Sequence, residues 1–330
     1  MAKCMTDTIN LTSVADAIRT KGGTSAQLIY PSGFVSAIQA IQTGITPKLV
    51  VTTTPGAAIT ATPAEGFKVV KGTAGADGMC TLELPKAGTW HVTAMANSVS
   101  NSQNIVIGTQ NMLLPLYHDT FANNTWEEII TVCRTGIAPD SWAVGDSKTM
   151  NIGGTAYQVD IIGKNHDEYA DGSGTAPLTF QLHDCYSEAK QMYSTNLSGL
   201  GWKNTDMRLT YLPAILALMP AEVQNGIRAV NKKTSEGGNS TTIETVSDTL
   251  FLLSEVEIFG TASSSVAGEG SQYDYYKAGN PKIKKREGVD EFWWERSSAS
   301  GGMFCRVRAN GQAGASNASN SLGVSFAFCF

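Results

Sequence analysis

Cysteine and histidine side chains, which could carry nucleophilic or metal chemistry, are widely spaced in this sequence. The six cysteines form no CxxC pair and the four histidines are scattered, so no zinc-binding spacing is present. No GxSxG motif offers a serine nucleophile. We expect reduced, buried or free thiols, because nothing in the sequence indicates an oxidising compartment. The cysteines are Cys4, Cys80, Cys133, Cys185, Cys305 and Cys329.

Two charged stretches resemble ligand sites in composition. The first is KNHDEYADGSG (164–174), whose candidate metal ligands are His166, Asp167, Glu168 and Asp171. Their spacing matches neither an EF-hand nor a zinc motif, so a structural turn is the better interpretation. The second is KIKKRE (282–287), whose charge is offset by acidic neighbours, which favours a solvated loop over a phosphate site. We therefore predict no metal and no cofactor.

The composition excludes several classes of protein. Charged residues make up 16% of the chain and the net charge is −5, so the broad basic surface of a nucleic-acid-binding protein is not expected. No apolar run approaches the roughly 18 residues of a membrane span, and MAKCMTDTIN lacks the apolar region of a secretory signal. We expect a folded protein, made in the cytoplasm, that neither enters membranes nor binds nucleic acid.

The first 45 residues have helical periodicity. LTSVADAIRTKGG and SGFVSAIQAIQTG each place apolar residues three and four apart, which predicts two short helices. Their apolar stripes comprise Val14, Ile18, Phe34, Ile38 and Ile41. Because two short helices cannot bury these stripes alone, we expect residues 1–45 to oligomerise, with a homotrimer favoured.

Residues 46–110 contain short β-rich runs separated by turn sequences. Runs such as KLVVTTT and GTWHVTAMA at this spacing are typical of a small β-sandwich of immunoglobulin type. Trp90 and Val92 alternate along one run and should face its core. No polar cluster marks a site here, which indicates a spacer.

Residues 111–330 mix helical and strand patterns, so the whole chain is predicted to be a multidomain α+β protein. TWEEIITVCRTG predicts an amphipathic helix, and SWAVGDSKTMNIGGTAYQVDIIGKN predicts two strands around Gly153-Gly154. One or two further helices are expected near Pro213 and Pro220, followed by an apolar strand over TLFLLSEVEIFG.

The C-terminal segment is rich in small residues but flanked by apolar ones. Of the 29 residues from Ser297 to Ser325, 20 are Ser, Ala, Gly or Asn, and Arg306 and Arg308 carry the only charges. The runs FWWERS, MFCRV and GVSFAFCF are too apolar for a flexible linker and predict strands. Phe304 and Val307 cannot both be buried in a regular strand, so we expect a β-bulge after Phe304.

This ending, WWERS…FCRV…NGQA…NASNSLGVSFAF, resembles the C-terminal variable region of proteins diversified by retroelements. Those proteins have a C-type lectin-type fold, shared with formylglycine-generating enzymes, and many are phage tail adhesins. The stretch from WEEIITVCRTG to FLLSEVEIFG resembles the lectin-like domains of such phage proteins, and LTSVADAIRTKGGTSAQLIYPSGFVSAIQAI resembles a helical leader of tail-associated proteins. Phe326 stands where the family often has a proline.

The resemblance implies a receptor-binding virion protein with a variable region over about 293–330. Its partners would be a host bacterial surface protein or glycan and other tail proteins. The implied scaffold residues are Trp293, Trp294, Arg296, Phe304, Val307, Gly311, Gly323, Val324 and Phe328. The implied ligand-binding positions are Glu295, Ser298, Gly302, Met303, Arg306, Arg308, Ala309, Asn310, Gln312, Gly314, Ser316 and Leu322. Arg306 and Arg308 share a strand face and are the best anchors.

Binding should be independent of calcium, because the lectin signatures Glu-Pro-Asn, Gln-Pro-Asp and Trp-Asn-Asp are absent. Two alternatives stay open. The protein could be a structural tail protein whose lectin-type domain binds nothing. It could also be an oxidase of the formylglycine-generating type that uses Cys305 and Cys329, although no activating constellation accompanies them.

Overall fold

The chain folds into two compact units, Met1–Tyr117 and His118–Phe330. The structure is a computed structural model, which describes residues 8–22, 27–28, 47–64, 68–85, 87–107, 110–238 and 240–330. Strands outnumber helices in the described part of the chain, and the helices are short. The predicted α+β class is therefore correct at this level.

The first unit opens with helix α1, Thr8–Gly22. Ala15 and Ile18 are buried, but Val14 is 47% exposed, so the predicted apolar stripe includes one residue too many. The second predicted helix, with Phe34, Ile38 and Ile41, lies outside the described residues. The expected homotrimer stays a prediction.

Seven strands of the described residues form two sheets in this unit. They are Lys48–Thr52 (β1), Ala58–Pro63 (β2), Val70–Thr73 (β3), Met79–Glu83 (β4), Gly88–Ala96 (β5), Val99–Ile107 (β6) and Gln110–Leu113 (β7). The sheet orders are β4-β1-β7 and β3-β2-β5-β6, and only the β1-β7 pairing is parallel within them. Both sheets contribute alternate side chains to one core, in which Trp90 and Val92 are buried as predicted.

The second unit contains twelve strands and five short α-helices among its described residues. The strands are Ser147–Ile152 (β8), Thr155–Lys164 (β9), Leu178–Leu182 (β10), Val230–Ser235 (β11), Ile243–Asp248 (β12), Leu250–Phe251 (β13), Lys284–Arg286 (β14), Val289–Glu291 (β15), Trp293–Ser298 (β16), Met303–Val307 (β17), Ala313–Asn317 (β18) and Ala327–Cys329 (β19). The helices are Trp126–Arg134 (α2), Leu212–Leu216 (α3), Ala221–Gly226 (α4), Glu255–Phe259 (α5) and Asp274–Lys277 (α6). Short 3₁₀ turns lie at Phe121–Asn123 and Trp202–Asn204, and a π-helical turn at Met207–Tyr211.

A five-stranded sheet of order β13-β19-β10-β9-β8 lies at the centre of this unit. Its strand β19 is the last of the chain, yet it pairs with β10 on one side and β13 on the other. Aromatic rings pack around it: Phe328 stacks on Phe180 at 5.2 Å, and Phe330 meets Trp126 at 6.0 Å between ring centroids. The C-terminal segment is therefore core structure, as its apolar residues predict.

Two of the predicted elements form as expected from their local signals. The α2 helix begins with a capping box, in which Thr125 accepts from the Glu128 backbone and Glu128 caps the Thr125 N–H. Strands β8 and β9 pair from Ile152↔Thr155 outward around the Gly153-Gly154 turn.

One predicted strand is largely wrong. TLFLLSEVEIFG forms a strand only over Leu250–Phe251 and then turns into helix α5. The reason is a second capping box, in which Ser254 accepts from the Glu257 N–H and the Glu257 carboxylate accepts from the Ser254 N–H. The S-x-x-E spacing is present in the sequence, but the surrounding apolar run favours a strand when it is considered alone.

Candidate binding surface

Three C-terminal strands form an antiparallel sheet of order β16-β17-β18, with β17 in the middle. Phe304, Cys305 and Val307 of β17 are fully buried. Arg306 is half-buried and Arg308, just after the strand, is exposed. The arginines are thus the charged groups that β17 and its following turn bring to the surface.

The predicted bulge exists, but it lies in the neighbouring strand. Strand β17 pairs with β18 without interruption. Against β16, however, Trp294 pairs with Arg306 and Ser298 pairs with Phe304. The chain therefore advances four residues along β16 but only two along β17 between these two pairs. Phe304 is buried despite sharing the parity of Arg306, because Tyr193 covers its side of the strand at 6.0 Å between ring centroids. The prediction of a bulge after Phe304 was therefore wrong in position.

Arg306 lies flat on an aromatic ring. Its guanidinium carbon is 4.1 Å from the ring centroid of Phe292, and its Nε donates to the Ala315 carbonyl at 3.1 Å. Partial burial lowers the pKa of Arg306, and the neighbouring Arg308 lowers it further. We call Arg306, Arg308 and the Phe292 ring the arginine face. A guanidinium held over a ring presents its remaining N–H donors in a fixed orientation.

A tight turn follows β17. The Arg308 N–H donates to the Gln312 carbonyl at 2.7 Å, and the Asn310 and Gln312 side-chain amides bond to each other at 3.1 Å. Asn310 and Gln312 are exposed, as expected of ligand-binding positions. The other surface positions are partly exposed: Met303, Ala309, Ser316 and Leu322.

Four predicted ligand-binding positions do not suit an exposed, exchangeable surface. Glu295 and Ser298 are buried, as is every other residue of β16. Gly302 has φ +76° and a Cβ there would lie 2.5 Å from the Asn196 carbonyl oxygen. Gly314 is buried, and a Cβ there would lie 2.8 Å from Arg308 Nε. Glu295, Ser298 and Gly302 are corrected to structural roles, and Gly314 is corrected to a buried position against the flexible Arg308 side chain.

Glu295 is an unusual core residue. Neither of its carboxylate oxygens has a hydrogen-bond partner in the described structure. Burial raises the pKa of Glu295 well above its usual value, and the nearby carboxylates of Glu255 and Glu269 raise it further. We therefore expect a protonated, neutral side chain at neutral pH.

The predicted scaffold residues are almost all buried. Trp293 and Trp294 each donate their indole N–H to a backbone carbonyl, of Lys282 at 2.9 Å and of Lys190 at 2.8 Å. Gly311 alone is partly exposed, in the turn after β17. The remaining buried members are Arg296, Phe304, Val307, Gly323, Val324 and Phe328.

Arg296 belongs to a buried ion network, which we define as Asp167, Lys232, Glu257 and Arg296. Arg296 binds Glu257 through both terminal nitrogens, and Lys232 Nζ lies 2.8 Å from Glu257 Oε1 and 2.6 Å from Asp167 Oδ1. Burial alone would raise the pKa of Asp167, but Lys232 and the Thr179 hydroxyl hold that pKa low, at about 2. Two cations and two anions therefore neutralise each other.

The two charged stretches behave differently from each other. In 164–174, Asp167 belongs to the ion network and Asp171 binds Arg228 at 2.6 Å, which is a structural use as predicted. No group of three metal-ligating side chains occurs in the described ranges. In 282–287, Lys284 is buried and donates to the His183 carbonyl at 2.7 Å, so the prediction of a solvated loop was wrong there. Burial lowers the pKa of Lys284 to about 8.

All cysteines of the described segments are free and buried. Cys305 Sγ lies 3.8 Å from Glu255 Oε2, and Cys329 Sγ lies 3.5 Å from Thr179 Oγ1. Burial raises the pKa of both thiols, and nearby carboxylates raise it further. This environment opposes thiolate formation.

Sequence reasoning missed two residues of this surface. Phe292 carries Arg306, and Ile283 is 41% exposed beside the turn, with its Cγ1 3.3 Å from where a Gly311 Cβ would lie. Phe292 precedes two buried tryptophans and looks like part of the same apolar run. Its partial exposure depends on the pairing of the strands, so a single sequence carries no signal for it.

Comparisons with known proteins give one match. Residues 179–330, which include the arginine face and strands β13 and β19 of the central sheet with nearly all of β10, match a family described as a domain of unknown function (DUF6273). No curated protein and no solved structure matches the chain. None of the helices in the described ranges is long and apolar enough to cross a membrane.

Proposed function

We propose that the protein is a phage tail adhesin that binds a host bacterial surface protein or glycan through the arginine face. Its C-terminal unit would be of C-type lectin type and its β-sandwich an immunoglobulin-like spacer, as the sequence resemblance implies. Binding would need no metal, and the protein would act in the virion.

The placement of Arg306 and Arg308 supports this proposal most directly. In the strand that carries Arg306, Phe304, Cys305 and Val307 are fully buried. Arginine contributes strongly to binding when it is held on a rigid element, and the stack on Phe292 provides that support. The surrounding turn carries small and amide side chains that can be exchanged without entering the core.

Paired variants would test the proposal on cells of bacterial isolates that the wild-type protein binds. Arg306→Ala with Arg308→Ala should reduce adsorption by more than about tenfold, equivalent to about 1.4 kcal/mol. Gln158→Ala, a substitution elsewhere on the same unit, serves as the control and should adsorb normally. Equal adsorption of both variants, or no isolate bound by the wild-type protein, would overturn the proposal.

The genomic neighbourhood offers an independent test. A reverse transcriptase gene and a near-copy of the 3′ coding segment that differs at adenines would support the diversified class. Substitutions in natural variants should then fall at Arg306, Arg308, Asn310 and Gln312 and spare Glu295. Variation concentrated at buried positions would contradict the proposal.

A further inference from the structure

The buried ion network contains a lysine that touches two carboxylates at once. Lys232 Nζ lies 2.6 Å from Asp167 Oδ1 and 2.8 Å from Glu257 Oε1. These three side chains are 2% to 3% exposed, whereas the other lysine ion pairs of the described residues leave both side chains at least 22% exposed. Lys232 therefore meets its carboxylates in an environment from which water is largely excluded.

The surroundings of the Lys232 amine are aromatic. Its Nζ lies 4.3 Å from the ring centroid of Phe251 and 5.3 Å from that of Tyr273, and both of these residues are fully buried. A medium of low polarity raises the free energy of an ammonium and a carboxylate relative to the neutral amine and acid. The transfer of a proton from Nζ to a carboxylate therefore costs less here than in water, and the neutral amine that results is a nucleophile.

The carboxyl group of Asp167 is oriented for attack by that amine. Its Oδ2 accepts hydrogen bonds from the Thr179 hydroxyl at 2.6 Å and from the Tyr273 hydroxyl at 2.8 Å, while Oδ1 accepts from Lys232 Nζ. Two donors on one carboxyl oxygen stabilise the negative charge that develops there when a nucleophile adds to the carbon. Oδ1, beside the amine, is then the oxygen that departs.

The charges of the buried ion network stay balanced if Lys232 and Asp167 condense with each other. Their condensation removes one cation and one anion, and it leaves Glu257 bound to both terminal nitrogens of Arg296. It also ends the desolvation cost of two buried charges. Condensation of Lys232 with Glu257 instead would leave Arg296 without its carboxylate. Asp167 is therefore the acyl partner that the network favours.

We propose that Lys232 and Asp167 form an intramolecular isopeptide bond, with Glu257 as the proton-transfer group. Glu257 Oε1 accepts a proton from the ammonium, the Nζ lone pair adds to Asp167 Cγ, and the bond between Cγ and Oδ1 breaks. The nitrogen loses two of its three protons, one of them by way of Glu257, and both leave on Oδ1 as water. One ammonium and one carboxylate thus become one amide and one water, so the step needs no co-reactant.

This bond connects strand β11 to the 164–174 turn, across 65 positions of the chain. The cysteines of the described segments are free, so none of them supplies a covalent link of this kind. A cross-link across a long loop restricts the unfolded chain and thereby stabilises the folded state. The bond is independent of the arginine face, which contributes no residue to the buried ion network.

Mass spectrometry of the purified full chain tests the bond. The folded wild-type protein should be lighter than its sequence by the mass of one water, and a proteolytic digest should yield a branched peptide that joins Lys232 to Asp167. Lys232→Arg keeps the positive charge but lacks the amine nucleophile, so it should keep its full mass. The matched control is Lys233→Arg, the same substitution at the exposed next residue, which should still lose one water.

The role of Glu257 is tested by the rate at which the bond forms. Glu257→Gln retains the size of the side chain but does not accept the proton, so water should be lost at least tenfold more slowly after cell-free synthesis. The control Glu168→Gln, at an exposed position beside Asp167, should lose water at the wild-type rate. Equal rates for the two variants would contradict proton transfer by Glu257.

Three outcomes would overturn the isopeptide bond. They are a folded wild-type protein of full mass, a water loss that persists in Lys232→Arg, and a branched peptide that joins Lys232 to Glu257. If Glu257→Gln does not fold, the mass and the branched peptide of the wild-type protein decide. Arg306→Ala with Arg308→Ala should lose one water like the wild type, so this test and that of the adhesin surface can fail separately.

Discussion

Neighbouring strands β16 and β17 use charged residues in opposite ways. In β17, Arg306 lies on the partly exposed ring of Phe292, and its charge stays near water. In β16, Glu295 and Arg296 are both fully buried. Every residue of β16 is buried, including Trp293 and Trp294 before its bulge, whereas β17 leaves Met303 and Arg306 partly exposed. Burial of charge in this sheet therefore depends on which strand carries the residue rather than on residue type.

Within β16 the two buried charges also differ. Arg296 binds both oxygens of Glu257 and three backbone carbonyls, of Lys233, Leu252 and Glu269. Glu295 has no partner for either oxygen. A buried charge that is fully paired stabilises one particular packing, whereas an unpaired one can remain only by taking up a proton.

The largest effect is expected at Arg296. Arg296→Ala leaves Glu257 with one cation instead of two and removes donors from buried carbonyls, so it should lower the free energy of unfolding by about 3–5 kcal/mol. Chemical denaturation would measure this. Arg308→Ala, which removes an exposed arginine of the same region, is the control and should cost less than about 0.5 kcal/mol. Equal losses would refute the contrast between the strands.

The next effect is expected in the turn between β16 and β17. Gly302→Ala forces a side chain into a left-handed backbone conformation and against the Asn196 carbonyl, so it should cost more than the roughly 1–3 kcal/mol of backbone strain alone. Gly301 has φ +68° but faces open space, with only Met303 Cε near at 3.8 Å. Thermal unfolding should rank Gly301→Ala above Gly302→Ala in stability.

Glu295 should give the protein an inverted pH dependence. Its pKa is raised by folding, so the folded state binds a proton that the unfolded state releases. Stability that is present below the unfolded pKa is then lost as pH rises toward the folded pKa, by about 1.4 kcal/mol per pH unit. Glu295→Gln should be more stable than the wild type near pH 8 and should show a shallower slope.

Denaturation midpoints between pH 5 and pH 8 would measure this difference. Glu269, whose pKa burial also raises, should retain part of the slope in the variant. Asp167 has the opposite effect on the pH dependence of stability. Its folded-state pKa is lowered to about 2, so its contribution to stability is lost only in acid. Parallel pH profiles for wild type and Glu295→Gln would show that Glu295 is ionised in the folded protein.

The smallest effect on stability should come from the arginine face. Arg306→Ala with Arg308→Ala removes one ring stack and one hydrogen bond, so the free energy of unfolding should fall by about 1 kcal/mol or less. Val307→Ala, one residue away but fully buried, should cost at least as much through lost core contacts. Calorimetry would compare the two variants. A larger loss of unfolding free energy for the arginine pair would show that these residues contribute to the core rather than to the surface.

Local signals in the sequence determined many elements of this protein. The helix after Thr125, the hairpin at Gly153-Gly154 and the burial of Trp90 and Val92 follow from capping, turn and alternation patterns. The strands of the C-terminal segment follow from its apolar residues. Each of these predictions rests on a pattern within a short run of the chain, so a single sequence contains the needed information.

Tertiary structure alone decided the rest. The bulge in β16, the burial of Glu295 and the place of β19 in the middle of a sheet depend on partners far away in sequence. A surface cleft likewise joins His166, Asn231 and Ser271, which no local pattern connects. Alternation predicts a face only while the register holds, and the register is fixed by long-range pairing.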